Sequence, residues 1–535
     1  MKTILASGIL GFSSLVLFAC SGEDSLAGDP AETGAKDVAN GADDGANDAA
    51  DPADPVADAG ATPAGSVPAT VEPMTVTPPN TEVPIDPTLE APPALSWRSC
   101  GTFEDRNLEC AEVLVPLDYD QPEGEKLPIA MRRIVANPLE PYHGSLLINP
   151  GGPGGPGIDF VLGSMPGGIF DAIAPGYDII GFDPRGVGES GERGCGIEPT
   201  ELYPAAGAVP AEGLEAYVAS MAERGAQCER AWGPLFRELG SNNVVRDMEE
   251  IRKALGEDKL NLYGISYGTR LGSLYAHTFP STTGRIVLDA SVHPRSSMVE
   301  GVRDGFYEIA TLHEQVFVDC EAGVLTCPPD ARVLFDQMLT SARAAGLEGA
   351  LSGYWRTQLE TPGGPETLAS ALQAQASDPS GAWLEPLLTG GGGGPDDGGA
   401  GLVALFSVNC TDDVLEPPTV AQVESLYAEF NAVNPLYAND ALDALICTSW
   451  PATRDPVPLP TAPSVDEPLL VIGGLRDWRT PYSGAVAMTE ALGKATLLTS
   501  DHQGHRALNR SACVNYLVRA YLTSGSLPAA GTSCE

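Results

Sequence analysis

The sequence predicts an α/β fold: a mostly parallel central sheet with helices on both faces, interrupted by an inserted helical cap. Three observations carry this expectation. Near-continuous runs of Ile, Leu and Val recur between helical segments, as strands buried on both faces require. A Gly-x-Ser-x-Gly pentapeptide, Gly264-Ile265-Ser266-Tyr267-Gly268, stands between one such run and a helical stretch. The body beyond residue 95 is about 440 residues long. That is too long for one simple layered packing, so a core plus an insertion is expected.

The chain begins with an export signal. Residues 1–19 join Lys2 to a short apolar core, Ile4 to Phe18, too short to span a bilayer comfortably. The run Leu17-Phe18-Ala19-Cys20 resembles a bacterial lipobox, which implies lipidation of Cys20 and anchoring at the cell envelope or surface. Secretion without the anchor is the alternative. Residues 20–95 read as a disordered Ala/Gly/Asp/Pro-rich stalk. From 21 to 95 they hold 15 acids against Lys36 alone. Such a segment cannot bury enough apolar surface to offset its ordering entropy.

The whole chain carries a net charge of −42, of which about −29 remains on the body once the stalk and Lys2 are set aside. That argues against nucleic acid and against an anionic membrane surface as partners, leaving the lipid as the expected membrane contact. Besides Cys20, ten cysteines remain in an exported chain, which suggests disulfides. Pairing of sequence neighbours is the simplest arrangement: Cys100–Cys110, Cys195–Cys228, Cys320–Cys327, Cys410–Cys447 and Cys513–Cys534. No cysteine or histidine spacing matches a metal site, so neither metal nor cofactor is expected.

The elements follow in order. Gly144 to Ile148 reads as a strand, and Asn149 to Gly157 follows it with five glycines in nine residues. Such a loop lets the backbone approach a substrate closely and turn N–H groups inward. Tyr177 to Ile180 is a second strand. Asn242 to Leu255 is an amphipathic helix, with Val245, Met248, Ile251 and Leu255 along one side. It leads into the strand Leu260 to Tyr263, the sharp turn at Ser266, and a helix over Thr269 to His277. A serine on such a turn projects its hydroxyl, with the N–H of Tyr267 beside it where negative charge would develop. Arg285 to Leu288 and Pro468 to Ile472 complete the strands. Between them lies the long span in which the insertion would fall, including the low-complexity run 390–399.

Only six histidines could serve Ser266 as a base. The chain order for this architecture is nucleophile, acid, histidine, which favours the C-terminal pair. His505 follows Gly504 and leads; His502 is the runner-up. Asp477, in the loop after the 468–472 strand, best fits the acid that would orient the imidazole. Asp412, Asp413 and Asp501 are its rivals.

Several separate stretches together resemble the secreted tripeptidyl aminopeptidase branch of the α/β-hydrolases, related to proline iminopeptidases. They are Cys110 to Tyr119, Asn149 to Gly155, Gly181 to Ser190, Asn261 to Gly272, Asp477 to Pro481, and Gly504-His505 through Cys513 to Cys534. The resemblance runs from about Trp97 to Cys534. It implies an α/β-hydrolase core with a catalytic Ser266, Asp477 and His505, and an oxyanion hole from Tyr267 and Gly152. It also implies a structural ion pair of Asp183 with Arg185, and a cap over residues 292–463 that receives a peptide's free N-terminus and splits the core into 96–291 and a TAP-like C-terminal part, 464–535. The expected activity is release of short peptides, tripeptides first, by a serine exopeptidase. An ester hydrolase or lipase with the same triad is the alternative, and a catalytically silent surface-binding lipoprotein the third reading.

Overall fold

The computed structural model describes residues 95–103, 106–164, 169–198, 213–389 and 400–535. The export signal, Cys20, the stalk and the glycine-rich run 390–399 lie outside the described residues.

Ten strands form one sheet: β1 (Arg98–Phe103), β2 (Arg106–Pro116), β3 (Lys126–Ile134), β4 (Gly144–Asn149), β5 (Tyr177–Phe182), β6 (Leu260–Ile265), β7 (Thr283–Asp289), β8 (Leu469–Arg476), β9 (Ala495–Gln503) and β10 (Ser533–Cys534). Their order is β1-β2-β3-β5-β4-β6-β7-β8-β9-β10. Strands β4 to β10 pair in parallel, and β1 to β3 attach antiparallel at one edge. The chain reverses its direction of travel across the sheet at β4, which has β5 on one side and β6 on the other. Ligand clefts of open α/β sheets lie at the carboxyl ends of strands beside such a reversal. All six residues of β4 are buried. Leu147 joins one apolar cluster, and Leu146 and Ile148 join a second on the opposite face. Burial on both faces is why this strand reads as an apolar run rather than an alternation.

Three core helices frame the site: α1 (Gly157–Ser164), α2 (Ser241–Leu255) and α3 (Tyr267–Thr278). Helix α2 buries Val244, Val245, Met248 and Ile251 and stops at Gly256, which takes the left-handed conformation (φ 71°) that a helix end favours. Between β7 and β8 the chain leaves the sheet and returns to the neighbouring position. Among the described residues, the elements of this excursion are all helical. They include α4 (Met298–Glu321), α5 (Glu348–Glu360) and α6 (Ala400–Asp412). Phe306, Trp355 and Phe406 from these helices share one apolar cluster with Leu262 and Leu288 of the sheet. The five neighbouring cysteine pairs are all bonded, and Cys410–Cys447 ties the end of α6 to the last cap segment.

One expectation needs correction. Arg185 does not pair with Asp183. Its guanidinium grips Asp247 of α2 at 2.7 and 2.6 Å and donates to the carbonyls of Pro116, Leu117 and Glu238. The Asp183 carboxyl accepts the N–H groups of Ile158 and Glu189 instead, and burial pushes its pKa up to about 7. A guanidinium needs donors' worth of acceptors all around it when buried; α2 and the β2 end supply them, whereas Asp183 faces two backbone donors.

Candidate active site

Ser266 stands between β6 and α3 with φ 57° and ψ −122°, a backbone conformation that L-residues seldom adopt. The flanking glycines make the turn possible. A Cβ on Gly264 would lie 2.3 Å from the carbonyl oxygen of Gly268, and one on Gly268 would lie 2.6 Å from that of Asn149. The turn is tied down by Ser266 N–H donating to the Asp289 carbonyl (2.9 Å) and by Thr269 N–H donating to the Ser266 carbonyl (2.9 Å).

The glycine loop after β4 lies against this turn. A Cβ on Gly151 would fall 2.9 Å from the Tyr267 nitrogen and 3.0 Å from the Ser266 Cβ. Gly152 next to it lines a cleft together with Ser266 and Tyr267. The loop also meets the cap, since a Cβ on Gly154 would fall 2.8 Å from the Gly401 carbonyl of α6.

Asp477 is 1 % exposed, in the loop that leaves β8. Its carboxylate accepts from Arg479 N–H (3.0 Å), Thr480 N–H (3.1 Å), the Thr480 hydroxyl (2.8 Å) and His505 Nδ1 (2.8 Å). Burial alone would raise its pKa, but the His505 ring and the Thr480 donors outweigh burial and hold it below the usual carboxylate range. The buried acid therefore stays ionised. Thr480 links this pair to the cleft: it lines the cleft and lies 3.4 Å from His505 Nδ1.

Asp289 closes the arrangement, and sequence reasoning missed it. Its carbonyl receives the Ser266 N–H, while its carboxylate accepts Ala507 N–H (2.8 Å), Leu508 N–H (2.9 Å) and the Tyr263 hydroxyl (2.8 Å). The end of β7 thus holds the nucleophile turn on one side and the loop behind His505 on the other. The available signal was an aspartate at the carboxyl end of the strand beside the nucleophile strand.

The rivals are engaged with other partners. His502 directs Nδ1 to Ser500 (2.8 Å), and burial lowers its pKa. Asp501 pairs with Arg476 at the surface. Asp412 accepts from Ser241 and Arg270, and Asp413 from the N–H groups of Met298 and Leu415.

The cleft spans about 1430 Å³ with the open solvent at its mouth included. The cap contributes most of its charge: Asp304, Asp412, Asp413, Asp440 and Asp443 face it, against Arg270 and Arg479. Asp304 and Glu308 stand one turn apart on α4, and neither carboxyl makes a hydrogen bond to a described residue. Burial raises both carboxyl pKa values, and the Asp477 charge adds to that of Glu308. These acids were unassigned by sequence reasoning, because only the folded cap brings Asp304 to the cleft and Glu308 near Asp477.

Comparison with known proteins agrees with this architecture. Residues 144–322 match the family model of the alpha/beta hydrolase fold, and residues 434–534 match that of TAP-like proteins. The chain is 28 % identical over 489 residues to a tripeptidyl aminopeptidase of Streptomyces coelicolor, covering 82 % of this chain and 86 % of that one. It is 28 % identical over 483 residues to the serine protease Hip1 of Mycobacterium tuberculosis, covering 79 % and 87 %. A carboxylesterase B of Mycobacterium tuberculosis is 29 % identical over 481 residues, covering 83 % and 90 %. With a serine on a strained strand-to-helix turn at the carboxyl edge of a mostly parallel sheet, the chain has an α/β-hydrolase fold and is similar to the TAP-like proteins over its last hundred residues.

Proposed function

We propose that this protein is a serine exopeptidase that releases tripeptides from free N-termini. The observation that carries the reading is one cleft with Ser266 in its floor, the Asp477–His505 pair joined to its wall through Thr480, and an acidic cap over it. The Ser266 hydroxyl attacks the scissile carbonyl and passes its proton to His505. The Asp477 carboxylate holds Nδ1 and stabilises the imidazolium. The oxyanion faces the N–H groups of Tyr267 and Gly152. Collapse expels the amine, which takes the proton from His505. Water then attacks the acyl-enzyme and frees the short N-terminal peptide. Carboxylates such as Asp304 and Glu308 would receive the substrate ammonium, which would also lower their raised pKa values.

The test is a peptide of about ten residues offered beside its N-acetylated twin, with products identified by mass spectrometry. Loss of three residues at a time from the free peptide alone is the expected outcome. Internal cuts in both peptides would overturn the exopeptidase reading. The likeness to a carboxylesterase favours a second reading, an ester hydrolase with the same triad. Cleavage of neither peptide together with turnover of short-chain esters would select it.

The reading includes export, supported by five disulfides of the kind an oxidising compartment allows, and lipid attachment at Cys20, which rests on the lipobox-like run 17–20. A Cys20→Ser chain should leave the membrane fraction; one that stays there would remove the anchor from the proposal.

A further inference from the structure

The last turn of α5 meets both loops of the Asp477–His505 pair at once. On the acid loop, Arg479 donates to both Glu360 oxygens at 2.5 and 3.1 Å. This ion pair is largely enclosed, with side-chain exposures of 23 % and 19 %. At the end of β9, where the histidine loop begins, Gln503 Nε2 donates to the carbonyls of Gln358 (3.2 Å) and Leu359 (3.0 Å). Gly504 then presses on the same helix end, where a Cβ would lie 2.2 Å from the Glu360 carbonyl oxygen. One turn earlier, the buried Arg356 lies over the Trp478 ring at 4.7 Å, beside Asp477 in sequence.

The physics of a helix end explains why these contacts are specific. The final carbonyls of a helix have no partner within it, and they form its negative pole. The Gln503 amide satisfies two of them. The contact is therefore directional, and so is the bidentate Arg479–Glu360 pair. Asp477 and His505 come from separate loops, yet one rigid element fixes the residue two past the acid and the residue two before the histidine.

We propose that the C-terminal turn of α5 is a clamp that sets the spacing of the Asp477–His505 pair, with Gln503, Arg479 and Glu360 as positioning residues. Docking of the cap and alignment of the base are then one event. The proposal rests on the catalytic reading of Ser266, Asp477 and His505 given above.

The test uses the full chain in five forms: Gln503→Ala, Arg479→Glu, Glu360→Arg, the swapped double variant Arg479→Glu/Glu360→Arg, and Ser266→Ala. Each is measured for kcat and KM on the free peptide, and for the downfield proton resonance of the Asp477–His505 hydrogen bond. A clamp predicts that Gln503→Ala and each single charge reversal lower kcat by about 10- to 100-fold, with KM little changed in Gln503→Ala, because small misplacements of catalytic groups carry that penalty. The resonance should move in the same variants, and the swap should regain most of the lost kcat. A kcat within about two-fold of the parent in Gln503→Ala and Arg479→Glu would overturn the clamp, as would a loss that the swap does not regain. If a charge reversal fails to fold, Gln503→Ala decides. An active Ser266→Ala would remove the catalytic reading itself. An inactive Ser266→Ala beside unaffected Gln503→Ala and Arg479→Glu would remove only the clamp.

Discussion

The sheet core and the cap build one cleft by opposite means. Around Ser266 the geometry is enforced by backbone against backbone: Gly264 against Gly268, Gly268 against Asn149, Gly151 against Tyr267. No side chain can be added there without moving a strand. In the cap the cleft is lined by side chains on helices whose mutual position rests on apolar packing, such as the stacked Phe306 and Phe430 rings 3.7 Å apart. Backbone contacts leave a local signature in sequence, whereas packing leaves only a composition. The core is thus the part that fixes chemistry, and the cap the part free to set what enters.

The largest effects should fall on the core. Ser266→Ala is expected to lower kcat by at least about 10⁴-fold, while thermal unfolding stays within a few degrees of the parent. Retained peptide turnover would end the assignment of Ser266. Gly264→Ala drives a methyl group to 2.3 Å from the Gly268 carbonyl, so the strand or the turn must shift. A loss of about 3 kcal/mol in stability, together with loss of turnover, is expected from overpacking of this kind. Denaturant unfolding that matches the parent would show that the turn is softer than these contacts imply.

The cap should answer to acid instead. His313 sits among Phe317, Phe335, Trp355 and Tyr437, with Nδ1 3.1 Å from the Tyr437 hydroxyl. Burial pulls its pKa down to about 3. The unfolded chain takes up that proton near pH 6.5, so between the two values it binds more protons than the folded chain does. Stability is then full above about pH 6.5 and falls with decreasing pH, by about 2 kcal/mol at pH 5. His313→Gln should flatten the melting temperature between pH 7 and pH 5. Parallel curves for parent and variant would mean that His313 does not carry the acid sensitivity.

What could be read from sequence follows the same division. The five strands legible as apolar runs are parallel strands of the doubly covered sheet, where burial on both faces suppresses alternation. Strand β9 escaped notice because its residues alternate between buried and partly exposed and include Asp501. The short β10 depends on its pairing with β9 and on the Cys513–Cys534 bond, neither of which is a local signal. Ser266, Asp477 and His505 could be nominated because each follows a recognisable strand or loop in a fixed order. Thr480 and the acids of α4 could not, since their roles depend on which distant group or helix face meets them; for Asp289 the place at the strand's end was legible, but not the backbone donors it meets. The Asp183–Arg185 expectation failed for that reason too. Closeness in sequence suggested a pair, but Arg185 found Asp247 across the fold.

The smallest effect tests whether nearness along the chain means anything at the site. Asp501 precedes His505 by four residues, the nearest acid to it in sequence, yet its carboxylate reaches Arg476 at 2.7 Å with 36 % of the side chain exposed. Asp477 is 28 residues from His505, 1 % exposed, and held by Thr480 and the imidazole. An exposed ion pair contributes about 0–1 kcal/mol, and solvent screens its charge from the ring. Asp501→Asn should therefore leave kcat within about two-fold and stability within about 1 kcal/mol of the parent. Asp477→Asn, by contrast, keeps the shape but replaces the carboxylate that orients the ring, and a fall of about 10⁴-fold in kcat is expected. Equal losses in the two variants would mean that the histidine loop is oriented from its own strand. The division between an enforced core and an adjustable cap would then have to be drawn at β9 rather than at the cap.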